Sequence, residues 1–290
     1  MVTVISLFCG CGGSSLGYKW AGYNELLAVD FEKNAVETFK LNFPEVPIWQ
    51  KSVTDITGKE ILDFCNIKKG ELNVLDGSPP CQGFSTAGKR QVNDSRNDLF
   101  KDYVRLVNDL QPKVFIMENV SGMVKGKMKG CFIEIMKSLK SLNYQVKCKL
   151  LNVKYYNVPQ SRQRLIFIGI RNDLNKQPVF PKANKKMISP SKLIPELKGK
   201  KFLTFRYTRG TKDRVRSTHI AAPAVTGNLQ MEDRITIKDE AILKILQSFP
   251  PAFTFASQLN GCMRKQIGNA VPPKFMQAIA ETIKTEILET

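Results

Sequence analysis

Over the first half of the chain, short runs rich in β-branched residues alternate with amphipathic stretches. "VTVISLF" (2 to 8) predicts a buried strand, followed by the glycine-rich "CGCGG" and a helix from about Ser14. "ELLAVD" (25 to 30) predicts a second strand, and a helix is expected from about Glu32 to Asn42, stopping before Pro44. "LNVLD" (72 to 76) and "KVFIMENV" (113 to 120) predict two more strands. Between them Leu99, Tyr103, Leu106, Val107 and Leu110 recur at helical spacing after the polar "SRND". "YQVKCKLLNV" and "RLIFIGI" predict a closing pair. Such alternation builds βαβ units, so an α/β protein with a mostly parallel sheet is expected.

The texture changes after Arg171. "NDLNKQPVFPKANKKMISPSKLIPELKGKK" is rich in Pro and Lys and poor in regular apolar spacing, which places a domain boundary there. Order returns with "KDEAILKILQSF", a helix ended by Pro250 and Pro251, and with a final helix of about Pro273 to Leu288.

With 290 residues and 42% hydrophobic content, the chain can build one large domain with a small one. No apolar run approaches the roughly 18 to 20 residues that cross a bilayer, and no basic leader precedes "VTVISLF", so a cytoplasmic protein with no membrane contact is expected. The cysteines at 9, 11, 65, 81, 131, 148 and 262 are odd in number and scattered, as reduced thiols are. Zinc is disfavoured: "CGC" has the wrong spacing, no CxxC pair exists, and His219 is the single histidine, so no metal site is expected. That one histidine also argues against Ser-His-Asp and Cys-His chemistry.

Charge narrows the partners. The net charge is +18, and from Lys198 to Arg216 the chain reads "KGKKFLTFRYTRGTKDRVR", with Phe202, Phe205 and Tyr207 among the basic residues. Basic charge interleaved with aromatics suits a phosphate-contacting surface. Lys201, Arg206, Arg209, Arg214 and Arg216 are its candidate nucleic-acid contacts.

Several motifs sit where these strands end. Gly10, Gly12 and Gly13 let the backbone turn tightly and approach a nucleotide-like ligand, but their spacing is not the dinucleotide fingerprint, which disfavours NAD or FAD. Asp30 ends the next strand, where an acid can accept from ribose hydroxyls. Glu118, at the end of an apolar strand, is either an acid held near neutrality by desolvation or a structural carboxylate. Gln160, Arg162 and Arg164 in "QSRQR" alternate onto one face of an extended segment, as three donors converging on an anionic or carbonyl-rich substrate. "QIGNAVPP" (266 to 273) opens the last helix, where Asn269 either caps or binds a ligand. In "GSPPCQGFS" (77 to 85), Cys81 follows two prolines inside a polar loop, a position suited to exposure and not to core filling.

Taken in order, "LFCGCGG", "SPPCQGFS", "ENV", "QSRQR" and "QIGNAVPP" resemble the cytosine-5 DNA methyltransferases over nearly the whole chain. The resemblance implies a Rossmann-like, S-adenosylmethionine-dependent methyltransferase fold: a mixed sheet with helices on both faces, plus a small irregular target-recognition domain. The catalytic domain would span 1–172, completed by 262–290, with 173–261 as the recognition domain. It implies S-adenosyl-L-methionine as methyl donor, S-adenosyl-L-homocysteine as product, and Phe8, Gly10, Gly12, Gly13, Asp30, Phe31, Asp55, Pro80 and Asn269 around the cofactor. Cys81 would add to C6 of a flipped-out cytosine; Glu118 would act at N3 and Arg162 at O2, beside Arg164. Gln82 and Ser85 join the DNA contacts. Asp239 and Glu240, with Arg234 and Thr236, resemble a motif that braces the recognition region. Cys9 and Cys11 are expected to be packing residues.

Duplex DNA is thus the expected partner of a monomer working in a prokaryotic or phage-like nucleoid, with a cognate restriction endonuclease acting separately. The alternative within the family is a tRNA cytosine-5 methyltransferase, whose relatives typically carry a "CFT" tripeptide that is absent here. A silent DNA-binding relative would not need Cys81, Glu118 and both arginines together. A generic nucleotide-binding protein would leave "PPCQ" without a purpose.

Overall fold

The computed structural model describes residues 1–80, 99–124, 129–204, 214–217, 220–225, 230–231, 239–256 and 260–289. Strands β1 (Thr3–Leu7), β2 (Asn24–Asp30), β3 (Ile48–Gln50), β4 (Val74–Gly77), β5 (Val114–Val120), β6 (Tyr144–Asn152) and β8 (Gln163–Arg171) form one seven-stranded sheet in the order β3-β2-β1-β4-β5-β8-β6. The first five run parallel, and β8 lies antiparallel between β5 and β6. The sheet is therefore mixed, as expected.

Both faces of this sheet are covered, and alternation along each strand decides which side chain goes where. Ile5, Leu75, Phe115, Met117, Leu165 and Phe167 face α3 (Gly58–Cys65), α4 (Leu99–Leu110) and α5 (Lys129–Lys140). Their neighbours Val4, Val74, Val114, Ile116, Ile166 and Ile168 face α1 (Gly13–Trp20) and α9 (Pro273–Ile283). On α4 the predicted stripe is the buried one: Tyr103, Leu106, Val107 and Leu110 are fully buried. Gly169 lies across from Phe115 in the β5–β8 ladder, and a Cβ there would overlap the Phe115 ring. A glycine inside a strand is explained here by the ring it admits.

The pattern missed β3, α3 and α5. α3 starts at a capping box, Thr57 and Glu60, which the sequence carries as T-x-x-E. α2 (Lys33–Asn42) matches its expected span. α7 (Glu240–Gln247) is capped by the Asp239 carboxylate, which accepts from the amides of Ala241 and Ile242, and it ends with Ser248 at φ 66, two residues before the prolines. The last helix runs on from α9 as a π-helical turn, Lys284–Leu288.

Beyond Arg171 the chain makes a short α6 (Pro190–Leu193) and then strands β9 (Lys201–Thr204), β10 (Arg214–Ser217), β11 (Ala222–Pro223) and β12 (Gln230–Met231). β10, β9 and β12 form a separate three-stranded sheet. β11 pairs with β7 (Gln160–Ser161), tying this part of the chain to the segment that leads into β8. α8 (Asn260–Asn269) then returns the chain to the main body. Among the described residues no helix is long and apolar enough to cross a membrane.

Candidate active site

The carboxyl ends of β1, β2, β4 and β5 converge on one edge of the sheet, the place where open α/β sheets bind ligands. At the end of β1 the chain turns through left-handed conformations at Phe8 (φ 56), Gly10 (φ 55) and Gly12 (φ 94). Side chains at Gly12 and Gly13 would overlap the Phe43 ring and the Val271 carbonyl, whereas one at Gly10 would meet nothing within 4 Å. Gly12 and Gly13 are thus fixed by packing, whereas Gly10 is favoured by its left-handed φ and has open space beside it.

Asp30 braces this turn from β2. Its Oδ2 accepts from the Gly10 amide at 2.8 Å and its Oδ1 from the Glu32 amide at 2.9 Å. Burial pushes its carboxyl up against the pull of those two donors. With the Phe31 amide also donating to it, the carboxylate keeps one lone pair for a further donor. Phe31 beside it is 64% exposed, an uncovered ring at the rim. Asp55 is exposed in a 3-10 turn, Val53–Asp55, with Oδ1 accepting from the Thr54 hydroxyl. An open glycine turn, two carboxylate acceptors and an uncovered aromatic ring fit an adenosine-type cofactor, whose ribose hydroxyls and amino group donate. Cys9 and Cys11 are buried, and desolvation pushes both thiols up, Cys11 to about 12, so neither offers a thiolate.

Glu118 is buried at the end of β5, and its Oε1 meets the Arg164 Nε of β8 at 2.6 Å. The expectation of a desolvated acid omitted this counter-charge. Next to it the Asn119 amide donates to the Pro79 carbonyl at 3.2 Å. That contact was not foreseen, although "ENV" names the residue. It holds the start of the segment leading to Cys81. Pro80 is half-buried, the last described residue before that segment. Cys81, Gln82 and Ser85 lie outside the described residues.

The three donors of "QSRQR" take different hydrogen-bond partners, although Arg162 lies close enough to Arg164 and Glu118 to feel both charges. Gln160 is buried and donates to the Leu246 carbonyl at 2.8 Å and to Gln247 Oε1, while its Oε1 accepts from the Val225 amide. Arg162 is 4% exposed, and its guanidinium donates to the carbonyls of Gly268 at 2.6 Å and, at longer range, Val225 and Asn269. A cation on the last carbonyls of α8 satisfies both their lone pairs and the helix dipole. Arg164 is the arginine paired with Glu118, and the buried Nε of Arg162 has no hydrogen-bond partner among the described residues. Asn269 also differs from expectation, since it ends α8 and α9 is preceded by Pro272.

One further group went unnoticed in the sequence. Asp76, on β4 in "NVLDG", is 2% exposed and receives the Tyr18 hydroxyl at 3.3 Å and the Ser14 hydroxyl, both from α1. Among the described residues it has no ion pair. Burial pushes its carboxyl up to about 8, and burial pushes nearby Glu25, which accepts from Ser15 at 2.9 Å, to about 7. Of the basic candidates, Lys201 lies on β9 and Arg214 and Arg216 on β10, paired with Thr204 and Phe202; Arg206, Arg209, Arg234, Thr236 and His219 lie outside the described residues.

Comparison with known proteins decides the family. A sequence model described as C-5 cytosine-specific DNA methylase matches residues 2–239 and 195–285. The chain belongs to that family. Among relatives of this DNA cytosine-5 methyltransferase, the Type II methyltransferase M1.HphI of Haemophilus parahaemolyticus is 33% identical over 328 residues, covering 97% of the methylase and 86% of the relative. The Type II methyltransferase M.NgoPII of Neisseria gonorrhoeae is 29% identical over 97% of the methylase and 95% of its own length. The methylase also shares its fold with a crystallised protein from an E. coli prophage, described as a DNA modification methyltransferase, at a TM-score of 0.78, 21% identity and full coverage of both chains. A DNMT2 variant of Spodoptera frugiperda follows at 0.69 and 20%, covering 96% of the methylase and 98% of that chain.

Proposed function

We propose that the methylase transfers a methyl group from S-adenosyl-L-methionine to C5 of a cytosine swung out of a short duplex DNA site, through a transient bond between Cys81 and C6. The observation that supports this most is the Glu118–Arg164 pair, with Asn119 holding the Pro79 carbonyl two residues before the nucleophile. Residues 1–172 with 262–290 would carry catalysis, and 173–261 target recognition.

Phe8, Gly10, Gly12, Gly13, Asp30, Phe31, Asp55, Pro80 and Asn269 would surround the cofactor, with the carboxylates of Asp30 and Asp55 as acceptors for hydroxyl and amino donors. Once bound, S-adenosylmethionine supplies an electrophilic methyl sulfonium and leaves as S-adenosylhomocysteine. The Cys81 thiolate forms its bond to C6, which breaks the ring's aromaticity and moves an electron pair toward C5 and N3. Glu118 hydrogen bonds to or protonates N3. Arg162, whose buried Nε is unpartnered, would hold O2, with Arg164 beside it pairing its planar fork to Glu118. After methylation a base removes the C5 proton, and the returning electron pair expels Cys81.

Extruding the base costs a few kcal/mol. Contacts to phosphates from Lys201, Arg206, Arg209, Arg214 and Arg216, and from Gln82 and Ser85, would offset that cost. In this role the methylase acts as a cytoplasmic monomer, with a separate endonuclease as its counterpart.

Bisulfite sequencing of DNA from cells expressing the methylase, with Cys81→Ser as control, tests the proposal. New methylcytosine at one short site, lost in the control, is expected. Unmethylated DNA alongside newly methylated tRNA would overturn the substrate.

A further inference from the structure

At the outer edge of the sheet a cleft of about 580 Å³ opens between the end of β6, the turn that follows it and the strap at 180–183. Lys149, Lys154, Tyr155, Phe180 and Lys182 line it, and no Asp or Glu does. The Lys149 ammonium lies 5.8 Å from the Phe180 ring centre and that of Lys154 lies 4.7 Å from the Tyr155 ring. Cation–π contact holds two of the ammonium groups without neutralising them. Among the described residues none of the three lysines has a carboxylate partner. Lys147, two residues back along β6, and Lys185 and Lys186, just past the strap, are exposed and extend the positive field.

Register places this cleft near the chemistry. Leu151 and Asn152, which line it, pair with Arg164 and Gln163, and Arg164 pairs in turn with Val120 of β5. The cleft is thus two strand spacings, roughly 10 Å, from the strand that carries Glu118. It lies on the side of the sheet away from β1 to β3, where the cofactor turn lies.

We propose that the Lys149–Lys154–Lys182 cleft is a docking site for the sugar-phosphate backbone of duplex DNA flanking the target on one side. It adds affinity without reading sequence, and it rests on the proposed action on duplex DNA. With the cleft's own width and a lysine's length added to that roughly 10 Å, the contact falls about six base pairs from the flipped base. Substrates with shorter flanks cannot reach it.

The test compares wild type with the triple variant Lys149→Gln, Lys154→Gln, Lys182→Gln on two hairpin-capped duplexes carrying the same site, with flanks of about 4 or about 20 base pairs. On the long duplex the variant is expected to bind more weakly, with a salt slope lower by about 2.7, three phosphates at about 0.9 each. Its deficit should therefore shrink about 40-fold between about 50 and 200 mM salt. On the short duplex, affinity, methylation rate and melting temperature should match wild type. Equal behaviour on both duplexes overturns the proposal, as does equal loss on both, or a selective loss for a structured RNA hairpin. If wild type methylates neither duplex, the DNA function itself has failed, which keeps the two outcomes apart.

Discussion

Replacing Asp76 with asparagine is expected to stabilise the methylase above neutral pH. The carboxyl is buried among hydroxyls with no cation beside it, and its value rises from 3.8 to about 8. Between those limits the native chain holds a proton that the unfolded chain has lost, so stability falls as pH rises through about 4 to 8 and levels off above. Each tenfold in proton affinity is about 1.4 kcal/mol, which bounds the loss at about 4 kcal/mol near pH 7 and about 5 to 6 kcal/mol once the group is ionised. Water entry and relaxation around a buried charge reduce this, and a gain of about 2 to 4 kcal/mol is expected for the amide at about pH 8. That corresponds to a melting temperature higher by roughly 3 to 7 °C. Asparagine keeps the size of the side chain and can still accept from Ser14 and Tyr18. Urea unfolding followed from about pH 5 to 9 should show the two proteins converging at the acid end and separating up to about pH 8. Glu25, raised to about 7, leaves the variant a residual slope of the same sign. Parallel curves throughout, or a variant less stable at about pH 8, would refute the picture of an unpaired buried acid.

At the Glu118–Arg164 pair, Glu118→Gln and Arg164→Lys should each lower single-turnover methylation about 10²- to 10³-fold while DNA affinity is kept, because lysine lacks the planar fork and the amide cannot protonate N3; a matching loss of melting temperature would make the pair structural. The glycine turn separates packing from binding. Gly12→Ala, at φ 94 against the Phe43 ring, should cost about 2 to 4 kcal/mol in urea unfolding. Gly10→Ala, with open space beside it, should cost about 1 to 2 kcal/mol yet weaken S-adenosylmethionine binding by about tenfold or more in calorimetry. Unchanged affinity in Gly10→Ala would remove that residue from the cofactor's surroundings.

Strand–helix alternation in the first half was legible because burial on both sheet faces leaves apolar runs with the period of each element. Val4 and Ile5, or Phe115 and Ile116, are adjacent in sequence and serve opposite faces. The ends of those strands are legible too, so Asp30 and Glu118 fall at strand ends on sequence grounds alone. β3, at three residues, is too short to show a period, and α5 opens with polar and glycine residues that blur its face.

What the sequence by itself determined is local: which residues sit at strand ends, where helices start at caps, and which ordered motifs mark a cytosine-5 methyltransferase. Only the tertiary structure decided partners between distant segments. It gave Arg164 and not Arg162 to Glu118, turned Gln160 toward α7, and buried Asp76 against α1. The physical reason is that alternation fixes side-chain direction only within a continuous strand. The docking of α8 nearly a hundred residues later draws the Arg162 guanidinium onto its last carbonyls in a way no local pattern records.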